Sequence, residues 1–132
     1  MKKNYVLTLL LTLFISGLSF GQVFITELAD PNNNANTRYI ELYNAGESSV
    51  DLSTWRIDKY TNASATVSQT LALTGTIAEG GFYIIATGPS DSVFFYVFGF
   101  TPDQWDETSN HVAGSNGGDK IALIDGTGTL VD

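Results

Sequence analysis

The sequence predicts an all-β fold, because short runs of alternating residues are separated by turns rich in glycine and asparagine. The run YIELYN shows the alternation most clearly, since Ile40 and Leu42 fall on one face of a strand. Tyr39, Glu41 and Tyr43 fall on the opposite face. The next residues, NAG, are typical of a turn because asparagine and glycine tolerate positive φ angles. This stretch therefore predicts a strand with two different faces, followed by a reversal.

Other strand-like runs follow in the same manner, at residues 23–28, 50–52, 55–60, 65–73, 82–86 and 120–124. In the first run, periodicity leaves open which alternate set faces inward, either Phe24, Thr26 and Leu28 or Val23 and Ile25. The run FYIIA is apolar enough to be a central strand covered on both faces. The residues expected to form the structural core are Ile40, Leu42, Trp55, Ile57, Ile84, Ile121 and Leu123.

Three segments resemble the lamin tail domain family, in the form found in secreted bacterial proteins. They are YIELYN with the following VDLSTW, LTGTIAEGGFYII at residues 73–85, and NGGDKIALIDGTGTLVD at residues 116–132. The resemblance covers nearly all of residues 23–132 and implies an immunoglobulin-like β-sandwich. It implies less about activity, because one fold hosts many functions.

The segment at residues 89–99 fits two kinds of secondary structure. An apolar stripe of helical spacing is formed by Val93, Phe94, Val97 and Phe98. The aromatic and β-branched content favours a strand instead. We predict a short helix near residues 91–98, inserted between strands and closing one end of the sandwich. Trp105, in the loop expected after it, should pack against these phenylalanines.

The N-terminus has the pattern of an export signal. Lys2 and Lys3 precede an apolar run at residues 5–15, and small residues stand near position 21. The run is shorter than the roughly 20 apolar residues that a membrane span needs. We predict a cleavable signal peptide at residues 1–21, a mature domain at residues 22–132 with no transmembrane segment, and a secreted or cell-surface location. A retained membrane anchor is the alternative.

Charge and cysteine content restrict the partners. Without the two N-terminal lysines, four basic residues stand against fourteen acidic ones, a formal charge of −10. Such a surface repels phosphate backbones, so direct nucleic-acid binding is disfavoured. The chain has no cysteine, so its stability must come from packing, with or without a bound metal.

The asparagine-rich loop after the first strand carries oxygen atoms at a calcium-binding spacing. Asp30, Asn32 and Asn34, with Glu41 eleven residues after Asp30, match ligand positions of an EF-hand loop. The position that requires glycine is Ala35, and Glu41 lies inside a predicted strand, so we reject an EF-hand. Two interpretations of this loop remain, a weak calcium site formed by Asp30, Asn32 and Asn34, or a solvated turn without a metal. No other cofactor is predicted.

No arrangement of residues in the sequence predicts catalysis. The single histidine, His111, lies in a polar loop, and one histidine cannot supply the nitrogen ligands of a typical catalytic zinc site. No G-x-S-x-G elbow is present to hold a nucleophilic serine. We therefore predict that residues 22–132 are not an enzyme.

The predicted function is that of a noncatalytic secreted accessory module for docking or surface retention. Its partner would be a protein, a glycan or another surface ligand. The alternative is the front part of an exported hydrolase of the nuclease kind, whose catalytic domain lies beyond residue 132. We also expect the natural polypeptide to continue past residue 132 with a closing strand, since relatives do so and the hairpin at residues 125–128 has a short return run.

Overall fold

The computed structural model describes residues 22–88 and 91–132. The predicted signal peptide lies outside the described residues. The strands are β1 Val23–Ala29, β2 Tyr39–Asn44, β3 Val50–Asp51, β4 Arg56–Tyr60, β5 Gln69–Ala72, β6 Thr76–Ile77, β7 Phe82–Thr87, β8 Gln104–Asp106 and β9 Lys120–Ile124. Helix α1, Asp91–Phe98, lies between β7 and β8, and single 3-10 turns occupy Pro31–Asn33, Ala35–Thr37 and Thr61–Ala63.

The strands form two main sheets and a small third one. The larger sheet has the order β1-β2-β7-β8, the second has the order β5-β4-β9, and β3 pairs with β6. All neighbours are antiparallel except β7 and β8. The predicted all-β, immunoglobulin-like sandwich is confirmed.

The main core fills the space between the two larger sheets. Ile40 and Leu42 from one sheet meet Ile57 and Leu123 from the other, and all four are fully buried. Two further residues expected in the core, Trp55 and Ile121, are only partly buried and pack against this cluster. Ile84 is buried too, but in a separate cluster with Ala86 and Phe94 on the other side of the larger sheet.

Helix α1 covers part of the outer face of the larger sheet. The prediction that it closes one end of the sandwich is therefore wrong. Phe94 is fully buried against Ile84 and Ala86, which point away from the main core because their neighbours Tyr83 and Ile85 point into it. The helix crosses from β7 to β8, which are parallel and so require a crossover connection. Trp105 was expected in a loop, but it lies in the short strand β8.

A β-bulge in β1 explains why periodicity could not orient this strand. Val23 and Ile25 face the core, and the register shifts between Ile25 and Glu27. Thr26 is the extra residue, and after it Leu28 pairs with the inward-facing Ile40. Neither alternate set therefore faces inward along the whole strand.

The last residues return along β9 and reach β1. The N–H of Val131 donates to the oxygen of Leu123 at 2.8 Å. The N–H of Ile25 donates to a carboxylate oxygen of Asp132 at 2.9 Å, which connects the edges of the two sheets. Among the residues that the structure describes, no helix has the length and apolar character to cross a membrane.

Candidate functional site

The outer face of the larger sheet, on the side away from the main core, is the most distinctive surface of the molecule. The strand register arranges its side chains in three rows across β1, β2 and β7. The first row is Phe24, Tyr43 and Phe82; the second is Glu27, Glu41 and Ile84; the third is Ala29, Tyr39 and Ala86. Helix α1 covers the third row and, through Phe94, the Ile84 end of the second row, so the first row and the two glutamates are left uncovered by it.

We call Phe24, Tyr43 and Phe82 the aromatic row. The ring centroids of Phe24 and Tyr43 are 5.7 Å apart, and those of Tyr43 and Phe82 are 4.9 Å apart. These are distances at which aromatic rings attract each other. Phe82 is nevertheless 57% exposed and Phe24 is 37% exposed. The row therefore presents a continuous apolar strip to solvent.

The side of helix α1 that faces away from the sheet is also apolar. Tyr96 is 86% exposed, and its neighbours Phe95 and Val97 are about half exposed. Phe98, in contrast, packs at 5.4 Å from the ring of Tyr39 and helps to anchor the helix. Exposed large side chains thus lie at both ends of the outer face, on the aromatic row and on the helix.

Two carboxylates, which we call the glutamate pair, lie between these apolar regions. Glu27 and Glu41 are directly opposite each other on β1 and β2. The hydroxyl of Thr26 donates to Glu41 Oε1 at 2.6 Å, and the hydroxyl of Tyr39 donates to Glu27 Oε2 at 2.9 Å. Both partners are neutral, and within residues 22–88 and 91–132 neither carboxylate forms an ion pair.

The pKa of Tyr39 reflects both its burial and the two neighbouring carboxylates. Burial raises the pKa of Tyr39 most, and the hydrogen bond to Glu27 and the charges of Glu27 and Glu41 raise it further, to about 12. Each cause acts against the phenolate, so Tyr39 stays a neutral donor throughout the physiological pH range.

The basic residues of the described chain are all engaged elsewhere. Arg38 pairs with Asp30 at 2.7 Å, Arg56 with Asp58 at 3.2 Å and Lys59 with Asp119 at 3.2 Å. The fourth, Lys120, has its Nζ atom 5.1 Å from the ring centroid of Tyr60. None of these four lies in the rows of the outer face, so the exposed aromatic side chains there are accompanied by negative charge alone.

A family model described as Lamin Tail Domain matches residues 18–132. The chain belongs to the lamin tail domain family. A comparison with curated proteins finds no match. Family membership confirms the resemblance seen in the sequence and indicates an immunoglobulin-like module of the protein-interaction type.

In this lamin tail domain, the loop proposed for weak calcium binding is occupied by internal contacts. Arg38 Nε donates to Asp30 Oδ1 at 2.7 Å, and Asn34 Oδ1 accepts the N–H of Asn36 at 3.1 Å. Asn32 lies in a 3-10 turn with a φ angle of 53°. Within the described ranges, no three histidine, cysteine or acidic side chains are grouped so that they could hold a metal ion.

His111 and Asp106 are close in this lamin tail domain, but their contacts hold a loop together. The Nδ1 atom of His111 lies 2.8 Å from the backbone oxygen of Asp106, and not against its carboxylate. The buried carboxylate accepts hydrogen bonds from the N–H and hydroxyl of Thr108 and from the N–H of Ala113. We find no catalytic arrangement in the part of the chain that the structure describes.

Sequence reasoning identified only part of the outer face of this lamin tail domain. It placed Tyr39, Glu41 and Tyr43 on one face of β2. It did not assign Phe24, Glu27 or Phe82 to the same face, because strand pairing across the chain and the bulge in β1 decide their positions. The apolar character of Phe82 was visible in the sequence, but its exposure was not.

Proposed function

We propose that this lamin tail domain is an exported, noncatalytic docking module that retains its polypeptide at the outside of the cell. The ligand would be exterior material, bound by the outer face of the larger sheet and the exposed side of helix α1. The observation that carries the proposal is the exposure of several large aromatic side chains on this one face. Exposed apolar surface of this kind typically marks an interaction site.

The predicted leader supports export. Its two lysines and its apolar run have the form of a signal peptide, with cleavage proposed after Gly21. Three of the four basic residues of the described chain form ion pairs within the domain, and the fourth, Lys120, lies over the ring of Tyr60. This shortage of free cations supports a ligand other than nucleic acid, since phosphate backbones are bound through lysine and arginine.

Export and retention are tested together by fractionating cells that produce the protein. We expect the chain in the cell-surface fraction, with Gln22 as its first residue by mass spectrometry of the N-terminal peptide. A matched control is Leu10→Arg, which interrupts the apolar run and should leave the uncleaved chain inside the cell. A wild-type chain found in the cytoplasm with Met1 or Lys2 at its N-terminus would contradict the proposal.

We further propose that docking requires no bound calcium. The Asp30 carboxylate is already compensated by Arg38, so a Ca²⁺ ion would have to compete with a guanidinium. We expect Ca²⁺ at about 1 mM to raise the melting temperature by less than about 2 °C. A micromolar site in a calorimetric titration, lost in Asp30→Ala, would refute this expectation.

A further inference from the structure

The glutamate pair places two like charges at opposite positions of β1 and β2. Like charges directly opposite each other on neighbouring antiparallel strands destabilise a sheet. Glu27 is exposed and Glu41 is partly exposed at these positions, although a neutral or basic residue at either one would remove the repulsion. Sequences depart from such local rules mainly at functional sites. A bound cation would convert the repulsion into attraction.

The surroundings of the pair suit an organic cation. The aromatic row lies on one side of the glutamates, and Tyr39 with helix α1 lies on the other. Aromatic ring faces attract ammonium and guanidinium groups, and carboxylates pair with them. A guanidinium can do both at once, because it stacks on a ring and donates two parallel hydrogen bonds to a carboxylate.

The negative charge of this face favours a cationic ligand over the other candidates. A neutral glycan could stack on the aromatic row, but it would leave the repulsion between Glu27 and Glu41 in place. An anionic lipid surface or a nucleic acid would be repelled, because none of the described basic residues lies in the rows of this face. Burial is the largest cause of the raised pKa of Tyr39, and the charges of Glu27 and Glu41 add to it.

We propose that the outer face binds an arginine-bearing segment of another protein, with guanidinium groups placed against the glutamate pair and stacked on the neighbouring rings. This inference rests on the proposed docking function and names the chemistry of its ligand. The partner would contribute the positive charge that the outer face lacks.

The test uses the purified protein and an octapeptide of alternating arginine and serine with blocked termini. The control peptide carries citrulline, a neutral analogue, at each arginine. We expect the arginine peptide to bind in a calorimetric or fluorescence titration, to weaken as salt is added, and to bind more tightly than the citrulline peptide. A neutral glucose hexasaccharide should not compete with it.

The decisive variants are Glu27→Gln and Glu41→Gln, which keep side-chain shape and an acceptor oxygen. Each should weaken peptide binding about threefold, and the double variant about tenfold, as expected for exposed ion pairs. The double variant should also melt about 2–4 °C higher than the wild type, because the repulsion is gone. Glu107→Gln, at an exposed glutamate outside the three rows, controls for net charge and should leave binding unchanged.

Equal binding of both peptides, or unchanged binding by the double variant, would overturn the inference, as would competition by the hexasaccharide. If the arginine peptide fails to bind while the exported chain is still held at the cell surface, this inference is wrong and the docking function stands. If the chain is found in the cytoplasm but binds the peptide through the glutamate pair, the docking function is wrong and the ligand chemistry stands.

Discussion

Replacing Phe94 by alanine is expected to cost about 3–5 kcal/mol of folding free energy, the usual range for deleting a buried aromatic side chain. Phe94 is fully buried, and its ring lies within 4.6–6.1 Å of the rings of Phe98, Phe100, Trp105 and Tyr39. Because the helix is fixed to the outer face chiefly through this residue, the loss should include part of the helical structure.

The matched control is the adjacent residue, Phe95, which is 51% exposed. Phe95→Ala should cost less than about 1 kcal/mol, since it removes little buried surface. Urea denaturation of both variants, followed by tryptophan fluorescence, measures the difference. If the two variants lose the same stability, the helix does not pack on the sheet as described.

Replacing Asp119 by alanine is also expected to cost about 3–5 kcal/mol, because it leaves a charged lysine in a buried site. The side chains of Lys59 and Asp119 are only 7% and 5% exposed. Asp119 also accepts the N–H of Asn62 at 3.0 Å, and Lys59 donates to the oxygen of His111 at 3.1 Å. The pair thus ties β4 to the loops at one end of the sandwich.

The double variant Lys59→Met with Asp119→Ala distinguishes a buried charge from general damage to the loop. It should be more stable than Asp119→Ala alone, because no unpaired ammonium remains. Thermal melts of the wild type and the three variants form a double-mutant cycle. A double variant that is less stable than both single variants would contradict this account of the pair.

The same contact sets a pH dependence. Burial acts to raise the pKa of Asp119, but hydrogen bonds from Asn62 and Lys59 and the charges of Lys59 and Arg38 outweigh it, so the pKa lies below the ordinary 3.8. A lowered folded-state pKa contributes stability above pH 3.8 that is lost as the pH falls below that value. The melting temperatures of the wild type and Asp119→Asn should therefore converge in acid.

The part of the fold that local pattern determines was predictable. The alternation in β2 placed Ile40 and Leu42 in the core, and the apolar stripe at residues 91–98 indicated a helix. The location of that helix was not predictable, because it depends on the parallel pairing of β7 with β8. Such pairing joins residues far apart in the chain and leaves no local signal.

The candidate site was harder to predict from the sequence than the fold, because it too depends on pairing between strands. The glutamate pair exists only because the bulge at Thr26 shifts the register of β1 and brings Glu27 opposite Glu41. Periodicity assumes an uninterrupted strand, so it cannot anticipate this change of face. Trp55 was predicted to be a core residue, but it is only partly buried and packs against the edge of the core. Side-chain size alone therefore did not indicate how deeply this residue lies.

The central claim, that the outer face is the docking surface, is tested most directly by cell fractionation of a Phe82→Ser, Tyr96→Ser double variant. Both side chains are exposed, so the fold should persist and can be checked by its melting temperature. Val67→Ser removes a comparably exposed apolar side chain elsewhere and is the control. We predict that the double variant moves from the cell surface into the medium while Val67→Ser stays with the wild type. Retention of a folded double variant at the wild-type level would contradict the claim.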